Sequence, residues 1–205
     1  MSSHHIVRDE QEPALFILDL EGVAQELLGH LLEWSPTVIT ISSQVEQCLM
    51  SGFRIDVVLC NAKEADDLKA GLQHQLPVRF LTAPDPEQYI YNGLSFLHSI
   101  KHKAVNIIAP FSTSLMDVVS DFPSQMTIAI YDQVCKWHRV YKHFRKWVPR
   151  DQSFRVTSGS CTIKGNTTPV LKAPDDHYGF FSINEGFIEI DASDPFWFGE
   201  NVISP

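Results

Sequence analysis

Few side chains in this sequence could do chemistry, and their spacing is the first guide to what it would be. His98 and His102 stand four apart, so a helix would put both on one face, where two imidazoles can hold a metal ion. No Glu follows the first as in HExxH, so a pair of exposed helix histidines is the simpler expectation. The acidic clusters are Glu64-Ala65-Asp66-Asp67 and Asp175-Asp176. The first could bind Mg2+, but it also reads as the opening turn of a helix, where carboxylates face the positive dipole end. Phosphate loops of the GxxxxGK(S/T) type, or GxGxxG after a strand, are missing. Ser158-Gly159-Ser160-Cys161 resembles a nucleophile elbow only in outline, because the second Gly is absent.

One stretch combines charge with rings. From Lys136 to Arg150, basic residues interleave with Trp137, Tyr141, Phe144 and Trp147. Such a mixture can bind phosphates or stacked rings, although an apolar stripe under a solvated basic face is the commoner use. On a helical wheel Trp137, Val140, Tyr141, Phe144, Trp147 and Val148 share a face. The alternation Trp137, Arg139, Tyr141, His143, Arg145 can equally be drawn as a strand.

The elements that must position these residues change character along the chain. Strand-length apolar runs are Ala14–Leu18, Val38–Ile41, Asp56–Cys60, Val78–Leu81, Val105–Ala109 and Met126–Tyr131. Helical patterns fall between them at Gln25–Trp34, Gln44–Met50 and Pro86–His98. This alternation predicts a parallel sheet covered on both faces. After Val148 the runs are short and separated by turn residues: Phe154–Thr157, Cys161–Lys164, Pro169–Leu171, Gly179–Ile183 and Phe187–Ile190. They predict a small antiparallel β domain. The expected division is residues 1–148 and 152–205, with the linker at Trp147–Asp151 around Pro149. So small a domain should pack on the first domain or on a partner. Phe180, Phe181, Phe187, Phe196, Trp197 and Phe198 exceed what it can bury alone.

Composition bounds the function classes. The chain has 205 residues, a net charge of −9, 44% apolar and 20% charged residues. That excludes wholesale disorder and argues against general binding to nucleic acid or anionic membranes, which favours the opposite sign. Neither the polar Met1–Pro13 segment nor any later run is apolar enough for a signal peptide or a membrane helix. The cysteines, at 48, 60, 135 and 161, form no CxxC pair. Reduced thiols in a cytoplasm are therefore expected, with neither a zinc site nor a disulfide framework.

The order of segments, and two stretches in particular, resemble the thiamine pyrophosphokinase family. The stretches are Val38-Ile39-Thr40-Ile41-Ser42-Ser43-Gln44 and Gly52-Phe53-Arg54-Ile55-Asp56-Val57-Val58-Leu59-Cys60-Asn61-Ala62-Lys63. The ending Asp194-Pro195-Phe196-Trp197-Phe198-Gly199-Glu200 resembles that of short, divergent relatives. The resemblance implies a Rossmann-like, mostly parallel α/β domain that binds nucleotide. A small β-sandwich-like antiparallel domain follows, which binds thiamine and forms a homodimer. It also implies that the basic-aromatic stretch is extended. The implied reaction transfers pyrophosphate from ATP to thiamine, giving thiamine diphosphate and AMP, with Mg2+ held by carboxylates at strand ends.

At the matching positions this sequence carries Ser42 for the family's first Asp, and Asn61 and Lys63 for its Asp pair. The family's Thr-Asp falls near Gln88-Tyr89, and its Gly-Arg-x-Asp-His near Pro110–Ser114. A lysine ammonium opposes Mg2+ where a hard anionic oxygen is needed. The resemblance therefore places Ser42, Ser43, Asn61, Lys63 and Ser112 along a nucleotide cleft and assigns no catalytic residue. No metal is expected there; the fallback carboxylates are Asp56, Glu64, Asp66 and Asp85. Two readings stand: a kinase that recruits other carboxylates for Mg2+ and ATP, or a non-catalytic ligand-binding or interaction protein on the same fold, a pseudoenzyme.

Overall fold

The computed structural model describes residues 12–123, 125–157, 161–165, 167–170 and 177–202. Met1–Gln11, Ser158-Gly159-Ser160, Asn166, Leu171 and Asp175-Asp176, all used in the sequence reading, lie outside the described residues. The chain divides into two compact units, Met1–Gln133 and Val134–Pro205.

The first unit is built on six strands: β1 (Ala14–Ile17), β2 (Val38–Ile41), β3 (Val57–Cys60), β4 (Arg79–Thr82), β5 (Ala104–Ile108) and β6 (Thr127–Tyr131). They run parallel in the order β6-β5-β1-β2-β3-β4. Helices α1 (Gln25–Leu32), α2 (Val45–Met50), α3 (Ala65–Gly71), α4 (Tyr89–Ser99) and α5 (Thr113–Asp121) connect them. β1 and β3 are buried at every position, which is why they read as continuous apolar runs without alternation. Leu15, Ile17, Leu28, Val38, Val58 and Leu72 belong to one core cluster that joins the sheet to α1 and α3. Gly93 lets α4 lie close on β1: a Cβ there would come within 2.5 Å of the Phe16 ring.

The second unit is antiparallel throughout. Its strands are β7 (Cys135–Val140), β8 (His143–Val148), β9 (Ser153–Thr157), β10 (Cys161–Lys164), β11 (Thr167–Val170), β12 (His177–Ser182), β13 (Gly186–Ala192) and β14 (Phe196–Asn201). One sheet has the order β11-β12-β9-β14-β7 and the other β10-β13-β8. Val148, Ile188 and Ile190 from the second meet Val140, Phe154, Val156, Phe196 and Phe198 from the first in one core. This is the sandwich arrangement, two inner faces interdigitating.

The basic-aromatic stretch is neither helix nor linker. It forms β7 and β8, turning at Lys142, whose φ is 54°. Trp137 and Val140 are buried while Tyr141 and Trp147 are exposed. The expected linker Trp147–Asp151 instead closes β8 and turns into β9, and the division falls between Gln133 and Val134. That turn is held by Ser182, whose Oγ donates to the Pro149 carbonyl at 2.6 Å and accepts from the Gln152 N–H at 2.8 Å. Of the six clustered aromatics, Phe196, Trp197 and Phe198 are buried, whereas Phe187 is exposed beside its cross-strand neighbour Trp147. Gly199 faces Trp137 across β14 and β7, and a Cβ there would meet the indole at 2.7 Å.

Two predictions follow from this packing. Gly29 in α1 has open space where a Cβ would go. Gly29→Ala should therefore raise stability by about 0.5–1 kcal/mol in urea unfolding. Gly93→Ala, the same change in α4, should lower it by about 1 kcal/mol or more through overpacking against Phe16. None of the cysteines is in a disulfide, with Cys48, Cys60 and Cys135 buried and Cys161 half-buried. Burial pushes the Cys48 thiol up to about 11, against a weaker opposing hydrogen bond to Thr40. A thiol reagent at neutral pH should thus titrate Cys161 alone in the native protein and all four thiols after unfolding.

Candidate functional site

A parallel sheet sends all its connections from the same end, so loops that follow the strands gather at one rim. Here that rim receives Leu18–Gly22 after β1, Ser42–Gln44 after β2, Asn61–Glu64 after β3, Ala83–Asp85 after β4 and Ala109–Ser112 after β5. The order of strands reverses at β1, which pairs with β2 on one side and β5 on the other. Ligands of such folds bind outside the strand carboxyl ends near that reversal. The Gln44 side chain ties two of the loops together, its Oε1 accepting from the Leu20 N–H at 3.1 Å.

Ser42, Ser43 and Glu64 line one cavity of about 380 Å³ with Asp67, Leu49 and Leu68, between α2 and α3. Tyr89 stands beside it at the first turn of α4, where the main chain follows Pro86. Its ring is buried, and its hydroxyl hydrogen-bonds with the Ser42 side chain. Burial raises the Tyr89 hydroxyl above the ordinary tyrosine range, and the carboxylates of Glu64 and Asp85 add to the rise. The phenol thus stays protonated and offers a hydrogen bond at neutral pH. Sequence reasoning met Tyr89 only as a departure from the family pattern. Its one signal was an aromatic in a helix's first turn directly beyond a strand end.

The other expected residues are engaged in local turns. Asn61 Oδ1 accepts from the N–H groups of Lys63 (2.9 Å) and Glu64 (3.0 Å), and Glu64 Oε2 accepts from the Asn61 N–H at 3.1 Å. This reciprocal pair caps the entry to α3. Lys63 is exposed at the same turn, and its ammonium makes no ion pair among the described residues. Ser112 caps α5, its Oγ accepting from the Leu115 N–H at 3.3 Å. Asp85 caps the 3-10 turn Pro86–Gln88 through the Glu87 N–H at 3.1 Å. Asp19, which the sequence reading did not single out, does the same for the Glu21 N–H at 2.9 Å.

The fallback carboxylates are not gathered. Asp56 precedes β3 and therefore sits at the opposite rim, where it accepts from the Val38 N–H at 2.9 Å and faces Arg54. Asp66 is fully out in solvent, paired with Lys69 at 3.2 Å. The histidine pair does not form either. α4 ends at Ser99, so His102 leaves the helix face and is buried, its Nε2 3.2 Å from Thr37 Oγ1. Among the described residues, no group of three or more His, Cys, Asp or Glu side chains could hold a metal ion.

Mg2+ wants near-octahedral oxygen coordination with anionic ligands among its donors. Ser42 brings a hydroxyl, Asn61 an amide oxygen already accepting two N–H groups, and Lys63 a cation. Asp19, Glu64 and Asp85 each spend carboxylate oxygen on a backbone N–H of their own turn. Among the described residues this donor set does not fit the ion.

No protein-family model matches the sequence, and no curated protein does. Solved structures match over nearly the whole chain. A thiamin pyrophosphokinase from Geobacillus thermodenitrificans superposes with a TM-score of 0.65 at 10% identity, covering 93% of this chain and 98% of its own. That from Bacillus subtilis gives 0.63 at 6% identity, covering 94% and 100%. The Candida albicans enzyme gives 0.61 at 8% identity, covering 95% and 90%. The chain has the thiamin pyrophosphokinase fold, a mostly parallel α/β unit followed by an antiparallel β unit.

Proposed function

We propose that this protein binds small molecules of the kind its structural neighbours handle, a nucleotide at the carboxyl ends of β2 and β3 and thiamine through the second unit. On this reading Mg2+-dependent pyrophosphoryl transfer is weak or absent. The supporting observation is the Asn61–Glu64 turn. On the sequence resemblance, the positions aligned with the family's metal-binding carboxylates hold an amide spent on capping and an exposed ammonium. Lys63 can take a phosphate directly and so supply locally the charge that a metal would have brought. Ser42, Ser43 and the Tyr89 hydroxyl offer neutral hydrogen bonds beside it. The first unit is then the nucleotide-binding part and the second the thiamine-binding and dimerising part. The exposed Trp147 and Phe187 on the outer face of the β10-β13-β8 sheet support a homodimer formed through that unit. Four cysteines outside any disulfide support a reducing, cytoplasmic setting.

A second reading, retained turnover, is favoured by one observation. Glu64 and Asp85 follow the paired strands β3 and β4 and both raise the Tyr89 hydroxyl, which supports two carboxylates on one side of the rim.

The deciding assay is AMP release from ATP and thiamine with Mg2+. Turnover should fall well below the usual enzyme range of about 1 per second or more; a rate within that range would establish the second reading. ADP binding by calorimetry should be measurable without Mg2+ and weaken about tenfold in Lys63→Ala, the loss of one charge-assisted contact. Binding of neither ADP nor thiamine would remove the proposal. For assembly, light scattering at micromolar concentration should give twice the 23.2 kDa chain mass, and a monomer would count against the dimer.

A further inference from the structure

A large cavity of the first unit lies at the rim opposite the site above. It holds about 1020 Å³ and opens at the amino ends of β2, β3 and β4. Its size is at the upper end of the range for ligand clefts. Its lining is mixed: Leu32, Val78, Phe96 and Ile100 are half-buried apolar side chains, and the exposed Arg54 and Arg79 are its basic members. Arg79 begins β4 and lays its guanidinium over the Phe96 ring, 5.2 Å from the centroid. No carboxylate pairs with Arg79 among the described residues. Arg54 reaches the same cavity from the loop before β3. Its Nε faces Asp56 Oδ1 at 3.4 Å, which leaves the terminal guanidinium nitrogens uncommitted by that pair. The other Asp56 oxygen accepts from the Val38 N–H, and this single carboxylate faces two guanidinium groups. The charge at the mouth is therefore net positive, on a chain whose total is −9.

Half-buried apolar side chains, one of them a ring, beside two guanidinium forks suit one class of molecule. We infer that this cavity is a second binding site, for a small planar aromatic or heteroaromatic molecule carrying a phosphate or carboxylate. The ring lies on Val78 and Ile100 beside Phe96. The anion meets Arg79 and the free edge of Arg54 in charge-assisted hydrogen bonds. Stacking against Phe96 already orients the Arg79 fork, so little side-chain freedom is lost when the anion arrives. The site is independent of the proposal for the carboxyl rim: the two lie at opposite ends of the same strands and share no residue but those of the strands themselves.

Phenyl phosphate is a suitable probe, because it joins a flat ring to a dianion, and the full chain should be titrated by NMR. Saturable binding is expected with Kd below about 1 mM, with amide shifts at Gly52, Arg54, Arg79 and Ile100. Inorganic phosphate should bind at least tenfold more weakly. Arg79→Gln should weaken phenyl phosphate about tenfold, and Phe96→Leu should reduce its advantage over inorganic phosphate. Arg150→Gln, an exposed arginine of the second unit, should change nothing. Shifts confined to Ser42–Lys63, wild-type affinity in Arg79→Gln, or no saturable binding would each overturn the inference. Shifts at the amino rim with no ADP binding at the other would leave it standing while the carboxyl-rim proposal failed.

Discussion

The first unit depends on how β1 is held. Four residues, Ala14–Ile17, are buried on both faces and paired on both edges, with β2 on one side and β5 on the other. A strand in that position has no solvent-facing group with which to compensate for a missing partner, so each main-chain N–H and C=O must be met by a neighbour. Direction follows from the same requirement. The crossovers that return the chain to each new parallel partner put every following loop at one rim and every preceding loop at the other. The two candidate sites are consequences of that arrangement: one collects turn residues at the carboxyl rim, the other collects arginines at the amino rim.

At the carboxyl rim, the demand for turn closure and the demand for chemistry draw on the same side chains. Short loops after buried strands leave unpaired N–H groups at helix entries, and an acceptor must be found within a few residues. Asn61, Glu64, Asp85, Asp19 and Ser112 meet this need. An oxygen that accepts a backbone N–H at about 3 Å is partly withdrawn from a cation, which separates a set of acids close in sequence from a metal centre in space.

The strands were legible in the sequence because burial on both faces leaves an unbroken apolar run, as in Val57–Cys60. The second unit was legible because its turns carry Gly, Asn and Asp. The basic-aromatic stretch was harder. Trp137, Val140, Tyr141 and Phe144 fit a helical face, while Trp137 and Tyr141 also fit an alternating one, and what decides between them is pairing with β14 and β13, partners about fifty residues away. The boundary moved for the same reason, since Pro149 punctuates a hairpin as readily as a linker. His102 was misread because the helix end at Ser99 depends on Lys101 taking a positive φ, which its side chain does not announce. Tyr89 was missed because its value lies in Ser42, Glu64 and Asp85, each brought from a different loop. Asp56 shows the complement: a residue beside a strand has its rim decided by whether it precedes or follows that strand.

The turn after β3 also bears on how such a rim can change over generations. Its geometry rests on an oxygen at position 61, a main-chain N–H at 63 and a carboxylate at 64. An aspartate at 61 would accept the same two N–H groups, so exchange between amide and acid there is nearly invisible to folding. At 63 only the backbone is used, and any side chain compatible with the turn is tolerated. Glu64 alone is tied by its own head group. A strand end that stays folded while the charge beside it is rewritten is free to drift between chemistries, and drift of that kind needs no intermediate that fails to fold.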